Sequence, residues 1–249
     1  MSGPLHSAHL SRLHWGPADG TGAPRALLVH GITSSAATMW ELGEGLAAAG
    51  WSATAVDLPG HGASGPADSY RFADVADVLF AAVGGGLDLY VGHSLGGAIG
   101  TQLLARHPGV AARAVLIDPA LLAPADRVAG IPAALEADKA LTAADVAAAQ
   151  PHWHPRTVQA RVEATAAADV AAVRGWLADN APWDVTAAAV QVSVPVLVLV
   201  AGSDSALAPG LAERLPAANP RWSFETVPGT THSIHRDRPD VVLDRLLGR

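Results

Sequence analysis

The chain has 249 residues, half of them apolar, which is enough to bury a substantial core and reads as one globular domain carrying an insertion. A formal net charge of -7 and a pI near 5.8 leave no basic stripe for phosphates, so nucleic acid is not expected as a partner and a neutral or mildly polar small molecule fits better. The absence of cysteine excludes disulfides and thiolate metal sites.

The opening residues, MSGPLHSAHLSRLHWG, lack a basic start followed by an apolar run, and no apolar stretch approaches the roughly 20 residues of a membrane helix. A cytoplasmic protein with no membrane contact is the expectation. Strand-like and helical stretches then alternate: a strand over Arg25 to His30, a helix from about Ala36 to Ala49, a strand over Trp51 to Val56, and a helix from about Phe72 to Val83. Leu87 to Val91 reads as the next strand and Leu95 to Arg106 as the helix after it. Between them, YVGHSLGG at 90–97 places Ser94 on a strand-to-helix turn, where side chains at Gly92 and Gly96 would collide with neighbouring elements and the serine is lifted out as a nucleophile. Ala114 to Ile117 is a further strand. Such a series predicts an α/β fold, a mostly parallel doubly wound sheet covered on both faces, with its site at the edge where the strands end.

From Pro119 to Val190 no strand is predicted, and the segment reads as a helical insertion. Thr142 and Asp145 resemble a capping box, and a helix opens near Pro155 with Val158, Val162, Val170, Val173 and Leu177 on one face. Strand signals resume at VPVLVLVAG, 194–202, followed by a helix near Leu207 to Leu215, a strand over Trp222 to Val227, and a last helix from about Pro239. The expected division is a core of residues 1–118 and 191–249 with a cap of 119–190.

The ordered motifs LLVHGITSS, VDLPGHGAS, VGHSLGG, VLVAGSDS and GTTHSIHRDRP, spanning residue 26 to the end, resemble those of the α/β-hydrolase fold superfamily. The resemblance implies Ser94 as nucleophile, with the backbone N–H groups of Ile32 and Leu95 as the oxyanion hole. It implies His232 as base, since this histidine stands five residues before Asp237 and seven before Pro239, and it assigns His235 to a helix entry at the rim. The acid is expected at Asp204, although family members commonly show Gly-x-x-Asp, which would put it at Ser205; Asp118, ending AVLI, is the alternative. His30, His61 and His93 fall in loop motifs and are expected to serve packing and turn geometry.

His152 and His154 flank Trp153, yet no nearby acidic or cysteine ligand completes a metal site, and no metal or cofactor is expected. Trp153, Trp176 and Trp183 of the insertion, with Trp40 after the oxyanion loop, are candidates either to wall an apolar substrate pocket or to staple the insertion to the core. A serine nucleophile points to acyl chemistry, so the expected activity is hydrolysis of a carboxylic ester or lactone of a small, largely apolar substrate through an acyl-enzyme. The alternatives are carbon–carbon hydrolysis of a ring-fission-type dicarbonyl compound, cofactor-free perhydrolysis, or a ligand receptor on a hydrolase scaffold. The sequence leaves oligomeric state open.

Overall fold

The computed structural model describes residues 10–18 and 20–249. The reading of the N-terminus as leaderless falls largely on residues 1–9, outside the described residues.

Seven strands form one sheet in the order β1-β3-β2-β4-β5-β8-β9. They are β1 (Arg12–Trp15), β2 (Arg25–Val29), β3 (Ser52–Val56), β4 (Leu89–His93), β5 (Ala114–Ile117), β8 (Val196–Ala201) and β9 (Trp222–Val227). Every pairing is parallel except β1 with β3, so an antiparallel edge strand, which the sequence reading did not anticipate, closes one side. Strand alternation sorts the core into two layers. Leu27, Val29, Tyr90, Ala114 and Leu116 face one cluster, while Ala26, Leu28, Leu89, Val91, Val115 and Ile117 face the other. Both layers are covered, which is why β4 and β5 are buried at every residue.

A 3-10 turn (Ala36–Met39) running into α1 (Trp40–Ala48) covers one face together with α12 (Pro239–Leu246). The helices α2 (Phe72–Val83), α3 (Leu95–Arg106) and α10 (Leu211–Ala218) cover the other. In α2 the buried positions Phe72, Val75, Ala76 and Leu79 recur at helical spacing, giving one apolar stripe to dock on the sheet. Helix α10 starts four residues later than expected because Pro209 and a left-handed Gly210 (φ 72°) hold the chain out of the helix until Leu211.

Between β5 and β8 the chain builds α4 (Ala125–Ala129), α5 (Ile131–Asp138), α6 (Ala143–Ala149), α7 (Pro155–Ala167), α8 (Val170–Asp179) and α9 (Thr186–Gln191). Thr142 and Asp145 form the capping box of α6. The long apolar face around Val158 to Leu177 is two helices, since Asp169 caps a new start by accepting from Ala171 N at 2.8 Å. An antiparallel ladder of β6 (Leu122–Ala123) with β7 (Trp183–Asp184) ties the two ends of the segment together. Two-residue strands carry no periodicity to read. Helix α9 packs on α3 and α10. Asn180 anchors the end of α8 to the core, accepting from Phe72 N at 2.9 Å and donating to Tyr70 O at 2.8 Å. Among the described residues, no helix is long and apolar enough to cross a membrane.

Candidate active site

Ser94 ends β4 and opens α3 at φ 50°, ψ -111°, a backbone state that costs a residue with a side chain on the order of 1–3 kcal/mol. Close packing explains the glycines around it. A Cβ on Gly96 would lie 2.3 Å from the Val29 carbonyl oxygen, and one on Gly92 2.5 Å from that of Gly96, so α3 can start against β2 only when both side chains are missing. Beneath the turn, the buried Tyr90 hydroxyl donates to the Gly96 carbonyl at 2.6 Å. Ser94 N donates to Ile117 O at 3.1 Å, which puts Asp118 one strand away at the level of the serine.

Asp118 is fully buried at φ 42°. Its Oδ2 accepts from His232 Nδ1 at 2.6 Å and Ala206 N at 2.7 Å, and its Oδ1 from Ser205 Oγ at 2.6 Å and Ala201 N at 3.0 Å. Burial by itself raises a carboxyl pKa, but these four donors outweigh it and hold Asp118 below the usual carboxylate range. An ionised carboxylate only accepts, so Nδ1 of His232 is the donor of this bond.

The structure therefore does not bring Asp204, the expected acid, to His232; the carboxylate bonded to that ring is the expected alternative, Asp118. Asp204, at φ 50°, lines the same cavity as His232 without a hydrogen bond to it, and the β8 loop reaches Asp118 through Ser205 and Ala206 instead. Ser205, which stands where the family spacing would put an acid, donates to Asp118 at the end of the neighbouring strand. The reason is topological: β5 lies beside β4, whereas β8 lies one strand further from Ser94.

His232 is also held through its backbone, whose carbonyl accepts from His93 Nε2 at 3.0 Å. His235 is not at the rim; it is 2 % exposed, with its ring 4.5 Å from that of His93. Burial drives both of these rings well below the usual histidine pKa, so both are neutral.

The loop after β2 is shaped by two buried histidines. His30 donates from Nδ1 to Gly31 O at 2.7 Å and accepts at Nε2 from Leu58 N at 3.0 Å. His61 donates from Nδ1 to Pro59 O at 3.0 Å and accepts at Nε2 from Thr33 N at 3.2 Å, holding Thr33 at φ 60°. The backbone N–H groups of Ile32 and Leu95 donate to no acceptor among the described residues. Ser94 Oγ likewise has no hydrogen-bond partner among them, and serine–histidine bonds of such sites commonly tighten only on substrate.

Ser94, His232 and Ile32 line one cavity of about 410 Å³, within the range of small-molecule sites. Leu122, Val128, Ile131, Leu135 and Trp183 give it an apolar wall from the inserted segment. Trp183 is fixed there by donating to Ala120 O at 2.6 Å. The other three candidate tryptophans do not line this cavity. Trp176 is fully buried against Tyr70 and Phe72 and donates to Pro59 O at 3.2 Å. Trp40 donates to Thr157 at 3.1 Å, and Trp153 to Asp237 at 2.7 Å. All three join the segment between β5 and β8 to the rest of the chain.

His152 also bonds Asp237, at 3.1 Å, while His154 caps α7. Among the described residues no cluster of three or more metal-ligating side chains occurs. Sequence reasoning missed Arg161, Arg236 and Asp138, which all line the cavity. In HSIHRDRP an arginine reads as an exposed helix residue, and only the packing of α11 (Ile234–Asp237) turns Arg236 inward.

Comparison with known proteins agrees with this architecture. Similar solved structures include an N-formylmaleamic acid deformylase variant from Pseudomonas putida S16 (22% identity, 98% of this chain and 97% of that one, TM-score 0.80). Others are an E-2-(acetamidomethylene)succinate hydrolase (24%, 96% and 94%, 0.79) and an enol-lactonase from Burkholderia xenovorans LB400 (18%, 98% and 97%, 0.79). At these identities the likeness shows the fold. A curated protein of Mycobacterium phage D29 carrying the name of a non-heme haloperoxidase is 37% identical over 106 residues, a match spanning 41% of this chain and 37% of that protein. The sequence model described as the alpha/beta hydrolase family matches residues 26–245, and the chain belongs to that family.

Proposed function

We propose that this protein is a serine hydrolase that cleaves a carboxylic ester or lactone of a small substrate through an acyl-enzyme. The observation that carries the reading is the 2.6 Å bond from His232 Nδ1 to the buried Asp118 carboxylate, in a cavity that also exposes Ser94 on its strained turn.

Asp118 fixes the tautomer and orientation of His232, and Nε2 takes the Ser94 proton as Oγ attacks the carbonyl carbon. The Ile32 and Leu95 N–H groups receive the oxyanion, and His232 returns the proton to the leaving oxygen. A water deprotonated by the same histidine then opens the acyl-enzyme. In this reading residues 119–190 form the cap, with Trp183 and its apolar neighbours excluding solvent and setting substrate size.

The name borne by the phage relative favours one second reading, in which hydrogen peroxide instead of water opens the acyl-enzyme and releases a peracid. Peroxide-dependent bromination of a phenol reporter in acetate separates the two.

Turnover of graded p-nitrophenyl esters and lactones by wild type and Ser94→Ala tests the principal reading. The variant should fold and lose a factor on the order of 10⁴ to 10⁶ in kcat. Turnover near the wild-type rate would overturn the mechanism.

A further inference from the structure

Arg236 is 6 % exposed yet makes no ion pair among the described residues. Its Nη2 donates to Ser34 Oγ at 3.1 Å and the guanidinium lies 5.3 Å from the Trp153 ring, while Nε is buried with no hydrogen-bond partner. Leaving such a donor unsatisfied is costly for a charged group, so its persistence calls for a missing acceptor. The nearby carboxylates are committed elsewhere: Asp237 to Trp153, Thr231 and His152, and Glu41 to Thr157.

A second cation faces the same cavity. Arg161 donates from Nη2 to Asp138 at 2.9 Å and from Nη1 to Thr33 O at 3.4 Å. Burial, and then the proximity of Arg161, push the pKa of Arg236 down to about 9, which still leaves it charged at neutral pH. The other carboxylate lining the cavity, Asp204, follows β8. Ser34 follows β2, three strands away in the sheet order, or roughly 14 Å at the strand ends. An anion beside Ser34 therefore meets two guanidinium groups and does not face Asp204 at contact range.

We propose that Arg236, with Arg161 and Ser34, forms a carboxylate subsite, so that the substrate is itself an anion. The inference rests on the hydrolase reading for the position of the reacting carbonyl. Thr33 and Ser34 directly follow the oxyanion donor Ile32, so a carboxylate held there stands a few bonds from the carbon that Ser94 attacks. The fitting substrates are monoesters, lactones or activated amides of short dicarboxylic acids, of succinate or maleate size, with the rest of the molecule against the apolar cap wall. Guanidinium groups suit this task because their fixed fork binds both carboxylate oxygens.

Monoethyl succinate and neutral diethyl succinate should be compared as substrates at pH 7.5, and succinate binding measured by calorimetry on Ser94→Ala protein. Wild type should favour the monoanion in kcat/KM by at least about tenfold, and Arg236→Met should lower that ratio by about 100-fold, the range of a lost hydrogen-bonded charge contact. Arg161→Met, partly exposed and safer for folding, should lower the same ratio by about tenfold. Succinate should bind Ser94→Ala and fail to bind Ser94→Ala/Arg161→Met at the same concentration. Preference for the neutral diester in wild type, or a ratio unmoved in folded variants, overturns the subsite while leaving the hydrolase reading intact. Arginine-dependent succinate binding without cleavage of either ester would support the subsite and defeat the hydrolase reading.

Discussion

Mild acid should destabilise this protein, because the loop after β2 is built on two histidines that must stay neutral. His30 and His61 each donate from Nδ1 to a carbonyl and accept at Nε2 from a backbone N–H, so protonating Nε2 replaces an acceptor with a donor facing another donor. Desolvation is the main cause that lowers His30 to about 4 and His61 to about 3, from an ordinary value of 6.5. Because the folded pKa values are depressed, the unfolded chain binds more protons between about pH 3 and 6.5, and stability falls as pH drops through 6.5. Between pH 7 and 5 each ring loses nearly one and a half decades of proton affinity relative to the unfolded chain, about 2 kcal/mol apiece, or on the order of 4 for the pair. Typical domains have only about 5–15 kcal/mol to lose. His93 and His235 are displaced in the same direction and add to the loss. Urea denaturation at constant ionic strength, with stability extrapolated to water at pH 7, 6 and 5, measures it. Equal stability at pH 7 and 5 would refute the claim that these rings are held neutral.

The parallel strands were legible because a strand covered on both faces is a continuous apolar run, and LDLYV and AVLI could be little else between helical stretches. Ser94 was legible for a steric reason, since the glycines that make room for α3 are spaced by the turn itself. The edge strand RLHW was not, because three of its four residues are exposed and an edge needs no apolar alternation. The carboxylate that bonds His232 was the harder one to place. Asp204 and Asp118 both end apolar strands, and spacing along the chain cannot reveal that β8 is inserted beyond β5. Tryptophans fail differently: the same large apolar ring serves a cavity wall at 183 and a sealed joint at 176, and sequence carries no mark of which side faces empty space. Net charge says little about a single cavity for a related reason. A total of -7 describes the whole chain, whereas the cavity has its own balance, with Arg127, Arg161 and Arg236 against Asp138 and Asp204.

Two comparisons separate the tryptophan roles and the two carboxylates. Trp183→Ala should change KM and acyl-chain preference more than kcat on a small acetate ester. Trp176→Ala should instead lose about 3–5 kcal/mol of stability, and identical ester profiles for wild type and Trp183→Ala would remove the tryptophan from the pocket. Asp118→Asn keeps the volume but offers His232 Nδ1 a neutral amide that can also donate, so the ring can settle with its proton on Nε2, where the serine needs a base. A loss on the order of 10³ to 10⁴ in kcat should follow, with Asp204→Asn within a few-fold of wild type, and the opposite pattern in single-turnover kinetics would show that the carboxylate bonded to His232 in the fold is not the one the chemistry uses.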